Sequence, residues 1–156
     1  MSPRQFELST TAPVEPDFAF QFMMDLNNHR HLHPFFVAAE VVSSGVDASG
    51  HSYQDFIVTE RPRLALFRYT ITFPTRMMVT GDCELTSQVQ AALKTRLTNV
   101  VRCRLEQGKT RITETVTVDA PWPTIGYVTR QAHIAHQRTF SLLPSALAKL
   151  SEGVAS

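Results

Sequence analysis

Cysteine is scarce in this 156-residue chain, which contains two, Cys83 and Cys103. Two thiols cannot build the disulfide framework of small secreted domains, and their spacing matches no metal-ligand pattern. Long apolar runs are missing as well. No stretch approaches the ~20 consecutive apolar residues of a membrane-spanning helix, and the N-terminal MSPRQFELSTT has no apolar core for a signal peptide. Excess charge of one sign is absent: the net charge of +1 gives nothing global to draw nucleic acid or an anionic membrane. A Gly-rich phosphate loop, a serine nucleophile elbow and a paired-carboxylate motif are absent too, so the most recognisable catalytic signatures fall away. What remains is expected to be one domain, residues 1–156, with a cytoplasmic address by default. At 43% hydrophobic residues it has the material for a core, and a domain of this length buries roughly 70% of the surface its unfolded chain exposes.

The segment that organises the rest is the last, from about Pro123 to Leu150. Thr129, His133, His136, Phe140, Leu143, Leu147 and Leu150 recur at steps of four and three, which puts them on one face of a helix. Pro123 suits a helix start, since a first-turn N–H has no partner inside the helix. Pro144 in the interior removes a backbone hydrogen bond and predicts a kink near Thr139 and Phe140.

Ahead of that helix the pattern is mostly strand. Phe6, Leu8 and Thr10 alternate with polar residues in a first strand over Arg4–Thr11. A helix opened by Pro16 and Asp17 follows, with Phe18, Phe22 and Leu26 at four-residue steps. A second short helix or turn over Asn27–His33 ends at Pro34. Phe35–Ser44 reads as a strand, and from His51 to Ala120 strand follows strand, with turns near Arg61–Arg63, Pro74 and Gln88–Ala92. Four strands can be phased with Phe67, Tyr69, Ile71 and Phe73; Met77, Val79, Cys83 and Leu85; Leu93, Leu97, Val101, Cys103 and Leu105; and Ile112, Val116 and Val118 inward. Charged residues and threonines alternate with them, as in an antiparallel sheet wet on one side. Gln107 and Gly108 form a two-residue hairpin turn that sets Glu106 opposite Lys109, Cys103 opposite Ile112 and Val101 opposite Glu114. A turn centred near Gln90 would leave Cys83 and Cys103 about 20 Å apart at strand rise, too far for a disulfide.

One helix covers a strip ~10 Å wide, far less than the apolar face of a sheet of about seven strands. A void between sheet and helix is the natural result. The LNNHRHLHPFF stretch after the first helix, the GKTRITETVTVDAPW strand leading into the last, and HQRTF followed by leucines resemble the START-like (SRPBCC) superfamily. Within it the likeness is to the bacterial polyketide cyclase/dehydrase and lipid-transport group, related in fold to the birch pollen allergen. The resemblance covers nearly the whole chain. It implies an α+β helix-grip fold: a curved antiparallel sheet of about seven strands around a long C-terminal helix, two short helices after strand 1, and a hydrophobic pocket. It implies no reaction, because the group holds lipid carriers, hormone receptors, aromatase/cyclases and chaperone activators, and no catalytic motif matches residue by residue.

Glu114 is the most informative residue, since the phase that points Ile112, Val116 and Val118 inward points this carboxylate inward too. An unpaired buried carboxylate costs several kcal/mol or takes up a proton. It is either a polar anchor or general acid/base in a pocket, or a structural carboxylate satisfied by Asn99 or His136. With Tyr69, Asn99 and His136 it could orient an otherwise apolar ligand among Phe67, Met77 and Phe140. His133 shares the stripe, though a slight helix rotation would put Ala132 inward instead. His29 and His33, four apart, are a feasible pair of zinc ligands, but no third ligand can be read from spacing, so no metal or cofactor is assigned and a solvated turn near the pocket mouth is expected there. Lys94, Arg96, Arg102, Arg104 and Arg111 read as cross-strand charge placement rather than a nucleic-acid surface. The expected function is binding or carriage of a small hydrophobic molecule. The alternatives are a polyketide cyclase or dehydratase using Glu114, His136 or Tyr69, and a protein-interaction module or dimer joined through the exposed sheet face.

Overall fold

A computed structural model describes residues 2–154. Strand β1 (Arg4–Ala12) leads into helix α1 (Pro16–Met24) and a 3-10 turn (Leu26–His31). Strands β2 (Phe36–Val46), β3 (Ser52–Glu60), β4 (Arg63–Leu64), β5 (Phe67–Arg68), β6 (Ile71–Gly81), β7 (Glu84–Ala91), β8 (Thr95–Glu106) and β9 (Lys109–Asp119) follow, then helix α2 (Ile125–Val154). Seven strands form one antiparallel sheet in the order β1-β9-β8-β7-β6-β3-β2, open at both edges. This is the expected α+β helix-grip arrangement. No helix among the described residues is long and apolar enough to cross a membrane.

The β8–β9 hairpin has the expected register: Glu106 faces Lys109, Cys103 faces Ile112 and Val101 faces Glu114. Alternation is strict along β9, where Ile112, Glu114, Val116 and Val118 are all buried. A solid core gathers where α1 and the C-terminal half of α2 meet the sheet, around Phe20, Ile112, Leu143 and Leu147. Helix α2 lies along β1 and β9 rather than across the middle of the sheet.

Several expectations fail, each for a local reason. Between β3 and β6 the chain leaves the sheet and makes its own two-stranded hairpin, pairing Arg63 with Arg68 and Leu64 with Phe67. The inward phase therefore starts at Ile71, and Phe67 is 77% exposed rather than buried. The turn after β7 is centred near Leu93, not Gln90, with Leu93 and Lys94 both at positive φ. That shift leaves Leu93 exposed and brings Cys83 beside Cys103, whose N–H donates to the Cys83 carbonyl at 3.0 Å. Both cysteines are free thiols, as expected, but the separation argued from register was wrong. Leu105 and Leu150 end exposed near the tip of the β8–β9 hairpin and the end of α2. Pro74 is not at a turn. It lies within β6 one residue beyond the last pairing with β7, where a missing N–H costs no bond on that side. Helix α2 begins at Ile125 rather than Pro123, because a turn held by Thr124 and Ile125 N–H groups on the Pro121 carbonyl comes first. It runs through Pro144 as one helix.

Candidate functional site

The void expected between helix and sheet is present as a cavity of about 490 Å³. Its floor is the inner face of β6, β7 and β8, with Phe73, Met77, Leu85 and Val101. Its roof is the N-terminal half of α2, where the inward positions are Val128, Gln131, Ala132, Ala135 and Thr139. Small side chains leave the space open there, whereas Phe140 closes its inner limit. Ala132, not His133, takes the inward place; His133 packs edge-on to Phe6.

Of the residues singled out in the sequence, Tyr69, Met77, Asn99, Glu114, His136 and Phe140 all line the cavity. Phe67 does not, for the reason given above. Tyr69 is 40% exposed and stands beside Tyr127 at the mouth rather than deep inside.

At the polar end Glu114, 5% exposed, meets His136 from α2, with His136 Nδ1 2.8 Å from Glu114 Oε2. A carboxylate on β9 and an imidazole on α2 thus satisfy each other across the sheet–helix gap. His136 Nε2 has no hydrogen-bond partner among the described residues. Burial alone would lower the His136 pKa, but the Glu114 charge, its hydrogen bond and more distant Glu60 outweigh this and raise it. Asn99, the other partner considered for Glu114, makes no such bond, and its Oδ1 is buried and unmet.

His29 and His33, expected in a solvated turn near the pocket mouth, do lie at the cavity but are largely buried in its wall. The 3-10 turn folds under the mouth of the cavity, and the His29 ring stacks on Phe22 at 6.2 Å. Burial, reinforced by His136, holds the His33 pKa down at about 3, and burial holds His29 at about 4, so both are neutral. The His33 ring meets His136 edge-on at 5.9 Å. Glu60, at the end of β3, is the residue sequence reading missed. Burial raises its pKa to about 7 against an opposing pull from His136. It lies 3.8 Å from His33 Nε2, too far for a hydrogen bond, and a neutral imidazole makes no ion pair with it. The signal in sequence was the final residue of β3, a stretch whose alternation was too irregular to phase. Among the described residues no three His, Cys, Asp or Glu side chains are placed so that together they could hold a metal ion.

The cavity is apolar over most of its surface, and Glu114, His136, His33, Glu60 and His29 form an ionisable cluster in its lining. Thr75 Oγ1, Asn99 Oδ1 and His29 Nε2 are buried polar atoms without a partner, each a hydrogen-bonding group a ligand could meet. No Lys or Arg lines the cavity among the described residues.

Solved structures repeat this fold. The START superfamily protein from Mycobacterium smegmatis aligns at a TM-score of 0.74 and 10% identity, covering 96% of this chain and 99% of its own. Ara h 8.0201 aligns at 0.70 and 16%, covering 95% and 99%. The Zhui aromatase/cyclase from Streptomyces sp. R1128 aligns at 0.68 and 13%, covering 99% and 97%. The chain therefore has a START-like fold; identities this low establish the fold and no activity. No protein-family model matches the chain, and no curated protein matches it.

Proposed function

We propose that this protein binds a small, uncharged hydrophobic molecule in the cavity between the sheet and α2, with an oxygen of that molecule seated on His136 Nε2. The observation that supports this most directly is a cavity of about 490 Å³ with mostly apolar walls and an ionisable cluster of Glu114, His136, His33, Glu60 and His29 in its lining. Such a volume and lining suit one small ligand. A fatty acid or a phospholipid headgroup would bring a negative charge to a lining with no Lys or Arg and with Glu114 and Glu60 close by. A carbonyl or hydroxyl oxygen meets no such penalty. Native mass spectrometry of freshly purified protein should show a co-purified neutral compound or take one up from a panel of aromatic and polyketide-like molecules. Failure to hold any of them, or a preference for fatty acids, would sink this reading.

One observation favours a second reading, catalysis. Glu114 holds the His136 ring through Nδ1 and leaves Nε2 without a partner on a residue that lines the cavity, an arrangement that suits an oriented general acid/base. A substrate carrying a hydroxyl β to a carbonyl could then lose a proton from the intervening carbon to Nε2, and Nε2 could hand that proton to the departing hydroxyl, which leaves as water and frees the imidazole. This cyclase or dehydratase reading is tested with the same samples. Product formation abolished by His136→Gln, with the compound still bound, favours it; unchanged ligand over long incubation leaves simple binding.

A further inference from the structure

The loops around the cavity mouth carry an exposed apolar tip ringed by cations. Register places Glu60 opposite Ile71, Ala91 opposite Thr95 and Arg96 opposite Asp119, so the loops 61–70, 92–94 and 120–124 all leave the sheet at one end. Pro62, Tyr69, Leu93 and Thr124 from these loops line the mouth itself. Their outer side chains face solvent: Leu66 is 93% exposed, Trp122 80%, Leu93 78% and Phe67 77%. An isolated surface leucine needs no explanation, but four large apolar side chains on adjoining loops do.

Charge at this end is one-sided. Arg61, Arg63, Arg68, Lys94 and Arg96 are all exposed, and none forms an ion pair among the described residues. Nearby acids are Glu60, which lies in the cavity wall, and Asp119, which sits across from Arg96. Elsewhere on the sheet Arg76 pairs with Asp55, Arg102 with Glu84 and Arg111 with Glu106, while Arg104 donates to the Asp82 and Cys103 carbonyls. Loops at the opposite end carry Glu15, Asp47 and Asp82. The net +1 conceals a molecule with one basic, apolar end.

We propose that this end docks peripherally on an anionic lipid bilayer, with Leu66, Phe67 and Trp122 entering the headgroup region and the surrounding Arg and Lys side chains meeting lipid phosphates. Apolar tips enter a bilayer, while basic side chains near an anionic surface each strengthen binding about fivefold. Nucleic acid would satisfy the cations but would leave the leucines and phenylalanine in water, which is why a bilayer is the better match. Docking this way turns the cavity mouth toward the membrane, so a hydrophobic ligand could pass between them without crossing water. That corollary rests on the proposed ligand-binding role; docking itself does not.

The protein carries its own reporter, because Trp122 is its single tryptophan. Unliganded protein is mixed at low salt with vesicles of phosphatidylcholine alone or doped with phosphatidylglycerol. The expected result is a blue shift of Trp122 emission and co-sedimentation with the doped vesicles only, both reversed by 1 M salt, where screening shortens to ~3 Å. Arg63→Glu with Arg68→Glu should weaken vesicle binding at least ~25-fold, and Leu66→Asp with Phe67→Asp should abolish the blue shift. Lys109→Glu at the far end should change neither. These positions are exposed, and an unchanged melting temperature verifies that each variant is folded. No shift with doped vesicles, or full vesicle binding by the Leu66→Asp, Phe67→Asp protein, overturns the proposal. So does tighter binding to a DNA duplex that persists in that variant, since this would reassign the cations to nucleic acid.

Discussion

The two halves of helix α2 rest on the same sheet and do opposite things. Its C-terminal half presents Phe140, Leu143 and Leu147, the last two fully buried, and closes against β1, β9 and α1. Its N-terminal half presents Val128, Ala132 and Ala135 and leaves a cavity of about 490 Å³ open over the middle strands. Side-chain volume on one helical face, repeated turn by turn, decides where the core ends and the site begins. The packed core is therefore concentrated in one half and the cavity in the other.

The sharpest way to break that division is to truncate each half. Leu147→Ala should lower stability by about 2–5 kcal/mol, because a fully enclosed side chain leaves both lost transfer energy and a cavity behind. Chemical denaturation measures this directly. A loss under about 1 kcal/mol would mean that the C-terminal half is looser than its burial indicates.

The ionisable cluster gives the next largest effect, and its sign depends on pH. Glu60 has its folded pKa raised to about 7. Its contribution to stability is therefore present below the unfolded value near 4.5 and is lost as pH rises through about 7. Glu60→Gln removes that loss, so the variant should gain up to ~3 kcal/mol over the parent above pH 7 and nothing below pH ~4.5. His29 and His33 run the other way: with pKa values held down at about 4 and about 3, they favour the fold above 6.5 and lose that contribution as pH falls toward those values. Acid unfolding of the parent should thus steepen below pH 6.5, and His33→Asn should flatten it. Melting curves of parent and Glu60→Gln that stay parallel from pH 4 to 8 would show that Glu60 is not buried in solution.

Glu114→Gln follows, at about 1–3 kcal/mol, the range for stripping one partner from a buried polar pair. The distinctive readout is His136. Without the Glu114 charge, burial prevails and its titration should move to lower pH, visible by NMR after assignment with His136→Gln. An unmoved titration would remove Glu114 as the residue that orients His136. Retained ligand affinity in the variant would remove it from binding as well.

Regular alternation made the sheet legible from sequence. Gln107 and Gly108 set the β8–β9 register correctly, and that register put Glu114 inward beside a helix whose stripe carried His136. What could not be read was what depends on turns with unusual backbone. Leu93 and Lys94, at positive φ without glycine, give no turn signal, and the resulting shift misplaced Cys83 relative to Cys103. Phe67 alternated perfectly with its neighbours yet belongs to a separate hairpin. The burial of His29 and His33 in a turn expected near the mouth, and the entry of Glu60 into the wall, are long-range events that no local pattern encodes. The one-sided charge of the mouth was hidden for the same reason, since its cations come from two stretches far apart in sequence, residues 61–68 and 94–96.

The smallest expected change in stability is also the most informative about the cavity. Ala132 lies on the helical face above the void, so a leucine there would extend into open space rather than into packed neighbours. Overpacking strain, typically ~1–3 kcal/mol in a filled core, has nothing to push against, and added apolar contacts offset what remains. Ala132→Leu should therefore change stability by less than about 1 kcal/mol. Its effect on binding should be large, because the new side chain occupies volume that a ligand needs. A fluorescent hydrophobic probe that binds the parent should bind the variant at least tenfold more weakly. If the variant unfolds easily, the space above β7 and β8 is filled in solution; if it binds the probe as well as the parent, the ligand sits elsewhere, and the N-terminal half of α2 is simply loosely packed.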